Sequence, residues 1–231
     1  MRERLQDRTI KHTLPGDIER SSMAIICQEL EQRGIVLPEE NAAVVRRVIH
    51  TTADFDYVKH LRFTPDAVAL GEAALGAGTP IVTDTNMALA GVSKAALERL
   101  GGKAYCFMAD PEVAQAARNE GTTRAVVSMK KAAQAVPNGV FAIGNAPTAL
   151  LSLCQEMEQG YRPALVIAVP VGFVNVVESK ERLWDCCHRW QVPAIVAMGR
   201  KGGSNVAAAI CNALLYTAAG TLDPADRGWQ G

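Results

Sequence analysis

The stretch AIVAMGRKGGSNVAAAICNALLYTAAG, Ala194 to Gly220, decides the fold class. It opens on a short, continuously apolar run, passes through a basic, Gly-rich turn and closes on an Ala-rich segment of helical length. A strand buried on both faces reads as an unbroken apolar run, whereas a half-solvated strand alternates. The segment therefore predicts a buried strand, a tight loop and a helix that packs back onto the sheet.

Working backward, the same unit recurs from Pro80. PIVTD (80–84) leads into TNMALAGVSKAALERLG, and KAYCFMAD (103–110) into PEVAQAARNEG. RAVVSM (124–129) leads into KKAAQAV, and GVFAIG (139–144) into NAPTALLSLCQEMEQG. ALVIAVP (164–170) leads into VGFVNVVESKERLWDCCHRW. Strand and helix in alternation predict an α/β fold: three layers, α/β/α, with a mostly parallel central sheet in a single domain over residues 1–231. Right-handed crossovers then bring every strand-to-helix loop to one edge, where such sheets hold ligands.

The first third reads as helices without strands, an N-terminal layer laid on the sheet. Ser22 to Arg33 places Met23, Ile26, Cys27 and Leu30 on one face and ends at Gly34. A second helix is expected from Pro38 to about His50, with Glu39 and Glu40 in its first turn.

Composition excludes several classes. With 48% hydrophobic and 21% charged residues the chain is globular rather than disordered or collagenous. Lys+Arg and Asp+Glu are 24 each, so a general nucleic-acid binder is disfavoured and any anion must be held by a local cluster. The opening MRERLQDRTIKH has no apolar core, so no secretory leader is expected; six scattered cysteines without a CxxC pair then suggest reduced thiols in the cytoplasm. Gly202 to Leu222 carries no charge, but its Gly, Ser and Asn and its Ala-rich remainder argue for a buried helix rather than a membrane span.

Arg200, Lys201, Gly202, Gly203 and Ser204 form the best anion site: glycines free backbone N–H groups beside a helix N-terminus, and two cations stand next to them. The alternative is a tight turn whose basic residues face solvent. The loop matches neither GxxxxGK[ST] nor GxGxxG, so no nucleotide phosphate is implied. Asp84, at another strand end, either caps a helix or orients a ligand. Asn175 with Glu178, and Pro147, read as capping chemistry. His50 falls at a helix C-terminus with Asp54 and Asp56 following, which predicts a raised pKa and suits proton exchange; the alternative is a C-capping histidine. His12, His60 and His188 lack such a setting. No His/carboxylate metal pattern and no GxSxG elbow is present, and Leu183, Cys187 and Trp190 share a face that reads as core.

Five ordered blocks, VIHTTADFDY (48–57), TDTNMALAG (83–91), GNAPTAL (144–150), PVGFVNVVESKERL (170–183) and GRKGGSNVAAAICNALLY (199–216), resemble the precorrin-8X methylmutase family of cobalamin biosynthesis. The resemblance runs from about Ile18 to Ala219. It implies an α/β/α homodimer that moves a methyl group from ring position eleven to twelve of precorrin-8X or cobalt-precorrin-8, giving hydrogenobyrinate or cobyrinate. It implies no cofactor and no protein-bound metal, any cobalt belonging to the tetrapyrrole-derived substrate. Residue by residue, the family's proton-exchanging histidine matches His50, its N-terminal serine Ser22, and its arginines Arg47 and Arg124, the latter before an expected strand. Met23 stands where the family usually has Phe. The forms of the first and last blocks are closer to the cobalt-dependent branch. A flat macrocycle fringed with carboxylates suits an apolar cleft rimmed by Arg, Lys and N–H groups. The rival readings are a corrinoid carrier without turnover, which does not need His50, and a nucleotide enzyme, against which the absent fingerprint counts.

Overall fold

Five of the six expected strands form. They are β2 (Ile81–Thr83), β3 (Ala104–Tyr105), β4 (Val140–Ile143), β5 (Leu165–Ala168) and β6 (Ala194–Ala197), in a computed structural model that describes residues 14–227. A further strand, β1 (Leu61–Phe63), lies antiparallel on β6, with Leu61 opposite Ala197. The sheet order is β1-β6-β5-β4-β2-β3, and every pair except β1–β6 is parallel.

Strands β4, β5 and β6 are buried throughout, as their unbroken apolar runs require. Alternate residues face opposite layers. Val140 and Ala142 join a core with helices α2 (Glu39–Thr52), α4 (Ala67–Gly76) and α11 (Ser204–Ala218). Phe141 and Ile143 join a second core with α8 (Arg124–Ala135), α9 (Pro147–Glu158) and α10 (Val176–Trp190). Helix α1 (Pro15–Gln32) covers α2 from outside through Ile26 and Leu30. The short helices α3 (Tyr57–His60), α5 (Asn86–Gly91), α6 (Lys94–Arg99) and α7 (Pro111–Asn119) complete the connections. The result is one three-layer α/β/α domain.

Three local expectations are corrected. RAVVSM is not a strand but the start of α8, because the Thr123 hydroxyl accepts the Val126 N–H and begins a helix that the following Ala and Lys residues continue. Arg124 therefore opens a helix rather than preceding a strand. Asn175 takes a left-handed backbone (φ 58°) and makes no side-chain cap, so the Asn175/Glu178 capping pair does not form. Helix α1 begins at Pro15, seven residues before the expected Ser22, with Pro in its first turn and Asp17 beside it.

Candidate active site

The loops that follow β2, β4, β5 and β6 meet at the C-terminal edge of the parallel strands and are tied together. Asp84, fully buried after β2, accepts the backbone N–H groups of Gly144, Asn145 and Ala146 at 2.7–2.8 Å. Strand order reverses between β2 and β4, the crevice where open α/β sheets often seat ligands, and here the Asp84 carboxylate fills it. Of the two readings of Asp84, the geometry gives the cap: both oxygens are spent on the loop that opens α9. Burial holds its carboxyl above the usual range, against the pull of those three N–H groups.

One loop further, the Thr85 and Ser204 hydroxyls bond at 2.8 Å, and Gly203 N–H donates to Val169 O at 2.8 Å. Gly202 has to be glycine, since a Cβ there would lie 2.0 Å from Val169 O. Beneath this loop sits Lys180 of α10, fully buried, its ammonium donating to Gly199 O and Lys201 O at 2.8 Å each. No carboxylate pairs with it among the described residues, and burial lowers its pKa to about 8. Lys180 stands inside the quoted block PVGFVNVVESKERL, yet nothing in that pattern distinguishes a buried lysine from a solvated one.

Loop and N-terminal layer then join. Lys201 Nζ reaches across to Asp54 at 2.7 Å and Asp56 at 3.0 Å, just past the end of α2, and Met198 N–H donates to His60 O at 2.8 Å. This places the last turn of α2, with His50, at the same edge as the 199–204 loop. Ala53 closes α2 in the left-handed conformation, so His50 lies inside the final turn and does not cap it.

The surroundings of His50 correct its expected pKa shift. Half-burial and the Arg47 charge push it below the ordinary histidine value, with Glu19 pulling the other way. The carboxylates expected to raise it, Asp54 and Asp56, are engaged by Lys201. Arg47 is itself buried. Its guanidinium donates to Glu19 at 2.7 Å; Glu19 also receives Arg227 at 2.8 Å, and both arginines lie over the Tyr216 ring. The triad carries one net positive charge beside His50.

Ser22 sits on α1, its hydroxyl donating to Ile18 O of the previous turn, and Met23 packs against the core. Arg124 is exposed at the first turn of α8, at the same sheet edge, and forms no ion pair among the described residues. Arg200 is exposed, with its guanidinium 5.5 Å from the Phe173 ring. Phe173 and Val174 in the loop after β5 are 83% and 75% exposed, and Met87 in the first turn of α5 is 72% exposed, apolar side chains that a capping interpretation of those blocks overlooks. His60 and His188 bond to backbone carbonyls one turn back, and Leu183 and Cys187 are core; His12 lies outside the described residues. No cluster of His, Cys, Asp and Glu converges as a metal site among the described residues.

The family model described as precorrin-8X methylmutase matches residues 17–217. A cobalt-precorrin-8 methylmutase of Priestia megaterium is 41% identical over 201 residues, 87% of each chain. One from Salmonella typhimurium is 47% identical over 175 residues, 75% of this chain and 80% of its own. A crystal structure of precorrin-8x methyl mutase from Thermus thermophilus superposes with a TM-score of 0.79 at 39% identity, covering 88% of this chain and 98% of that one.

Proposed function

The chain belongs to the precorrin-8X methylmutase family, and from that premise we infer how its residues carry the family's reaction. It is an isomerase of cobalamin biosynthesis that shifts a methyl group between adjacent carbons of precorrin-8X or cobalt-precorrin-8. We assign it the cobalt-containing substrate, whose metal arrives with the macrocycle; the protein supplies no cofactor.

The observation that carries the site assignment is that His50 stands in the last turn of α2, with the Arg47 charge beside it, while Asp54 and Asp56 just after that turn are held by Lys201 of the 199–204 loop. Exposed Phe173, Val174 and Met87 offer apolar contact to the ring face, while Arg124, Arg200 and loop N–H groups meet its carboxylates. Empty, the site holds His50 largely neutral at pH 7, because burial and Arg47 disfavour the imidazolium. Substrate carboxylates arriving beside Arg47 offset that charge, so binding itself raises the proton affinity of His50. The imidazolium then protonates the conjugated ring, the methyl group migrates with its bonding pair, and a proton returns to the imidazole. Atoms and charge balance, and the protein contributes orientation and one shuttled proton.

The working form in this reading is a cytoplasmic homodimer, as the family resemblance implies. No helix among the described residues is long and apolar enough to cross a membrane. Incubation with cobalt-precorrin-8 tests the function: the absorption spectrum should change to that of the product at unchanged mass, with no spectral response to NAD. Binding without conversion would favour the carrier reading.

A further inference from the structure

We propose that Lys180 is a positioning residue for the substrate's carboxylates, acting through the backbone of the Gly199–Gly203 loop. The proposal rests on that loop being part of the corrinoid site. Lys180 touches no exposed surface, and its ammonium is spent on two carbonyls of that loop, Gly199 O and Lys201 O, at 2.8 Å each. In a trans peptide the N–H points opposite to the C=O. Drawing those two carbonyls inward therefore turns the N–H groups of Arg200 and Gly202 outward. Neither N–H donates to any other group among the described residues. Two outward N–H groups two positions apart, backed by a buried positive charge, are the geometry that receives a carboxylate oxygen.

Among the described residues Arg200 O accepts the Gly172 N–H at 3.3 Å, whereas neither Gly199 O nor Lys201 O receives a backbone donor, so Lys180 alone bonds those two carbonyls. Gly199 and Gly202 both have positive φ, of 75° and 158°, and Gly203 N–H is anchored only beyond them, on Val169 O. Desolvating a lysine without a carboxylate partner is costly, and its pKa falls to about 8 as a result. A fold that needed only two carbonyls satisfied could do so with a neutral donor; an ammonium also polarises the outward N–H groups toward an anion.

The test is equilibrium titration with cobyrinic acid, together with steady-state kinetics, on wild type, Lys180→Met, Lys180→Gln and Leu75→Ala. Leu75 is core on α4, in the opposite layer, and its truncation provides a comparable loss of stability away from the loop. Lys180→Met should weaken binding about tenfold or more, with KM rising and kcat changing far less. Lys180→Gln, which keeps N–H donors without the charge, should fall between Met and wild type, and Leu75→Ala should bind as wild type. Folded Lys180→Met with wild-type affinity overturns the proposal. So does a Leu75→Ala loss equal to that of Lys180→Met, which would make the effect one of stability. If Lys180→Met does not fold, wild-type affinity in Lys180→Gln overturns it instead. Wild type that fails to bind cobyrinic acid refutes the site reading itself, a distinct outcome.

Discussion

At His50 the local sequence and the folded surroundings push the proton affinity in opposite directions. The helix end and two following aspartates argue for a raised pKa; burial and Arg47 lower it, and Lys201, about 150 positions away in the chain, has taken up Asp54 and Asp56. That pairing is invisible in sequence because it depends on tertiary placement, whereas His50 stands out as a candidate from its block alone. The unfolded chain binds this proton with the ordinary affinity, near pKa 6.5, and the folded chain more weakly. Stability contributed by keeping His50 neutral is thus present above pH 6.5 and is lost as pH falls toward the lowered folded value. Denaturation midpoints of wild type against His50→Gln should show this acid-side loss only in wild type. In kinetics, kcat/KM should fall with rising pH along a limb below 6.5, while the limb in kcat lies higher, since bound carboxylates restore the imidazolium. Coincident limbs would exclude substrate-loaded protonation. The two family-matched arginines should also separate. Arg124 is exposed and unpaired among the described residues, so Arg124→Ala should raise the corrinoid Kd about tenfold or more at unchanged melting temperature. Arg47 is buried against Glu19, so Arg47→Ala should lower the melting temperature as well as affinity.

Among the elements, the strands that read most clearly are those buried on both faces, where an unbroken apolar run has no other explanation. RAVVSM misleads because six residues cannot fix a period; the Thr123 cap, outside the run, decides for helix. Strand β1 was not legible for a different reason. Leu61–Phe63 is three residues with an arginine in the middle, and it is extended only because β6 offers an edge to pair with. Asp84 needed the structure to choose between cap and ligand, and its three N–H partners make a sharp prediction. Asp84→Ala should cost about 1–3 kcal/mol of folding stability, read from urea melts, chiefly by orphaning the buried Gly144 N–H, the Asn145 and Ala146 N–H groups being only partly buried. A loss of substrate affinity at unchanged stability would return Asp84 to the ligand.

For the whole molecule, the three-layer plan follows from the recurrence of one strand–loop–helix unit, and the functional edge follows from its handedness. What recurrence does not reveal is how that edge is closed: Asp84 ties β2 to the loop after β4 across the strand reversal, and the residues after α2 reach the 199–204 loop beside β6. Large apolar side chains left exposed there, Phe173 and Val174 above all, accord with a homodimer that shelters the macrocycle. Sedimentation should give a dimer at assay concentrations, and a fully active monomer would contradict that assembly. The central claim is proton-assisted methyl migration by His50, and single-turnover conversion of saturating cobalt-precorrin-8 by wild type and His50→Ala tests it most directly. The account predicts near-normal binding by the variant with conversion slowed about 10²–10⁴-fold. A His50→Ala protein that converts its bound substrate at close to the wild-type rate would contradict it.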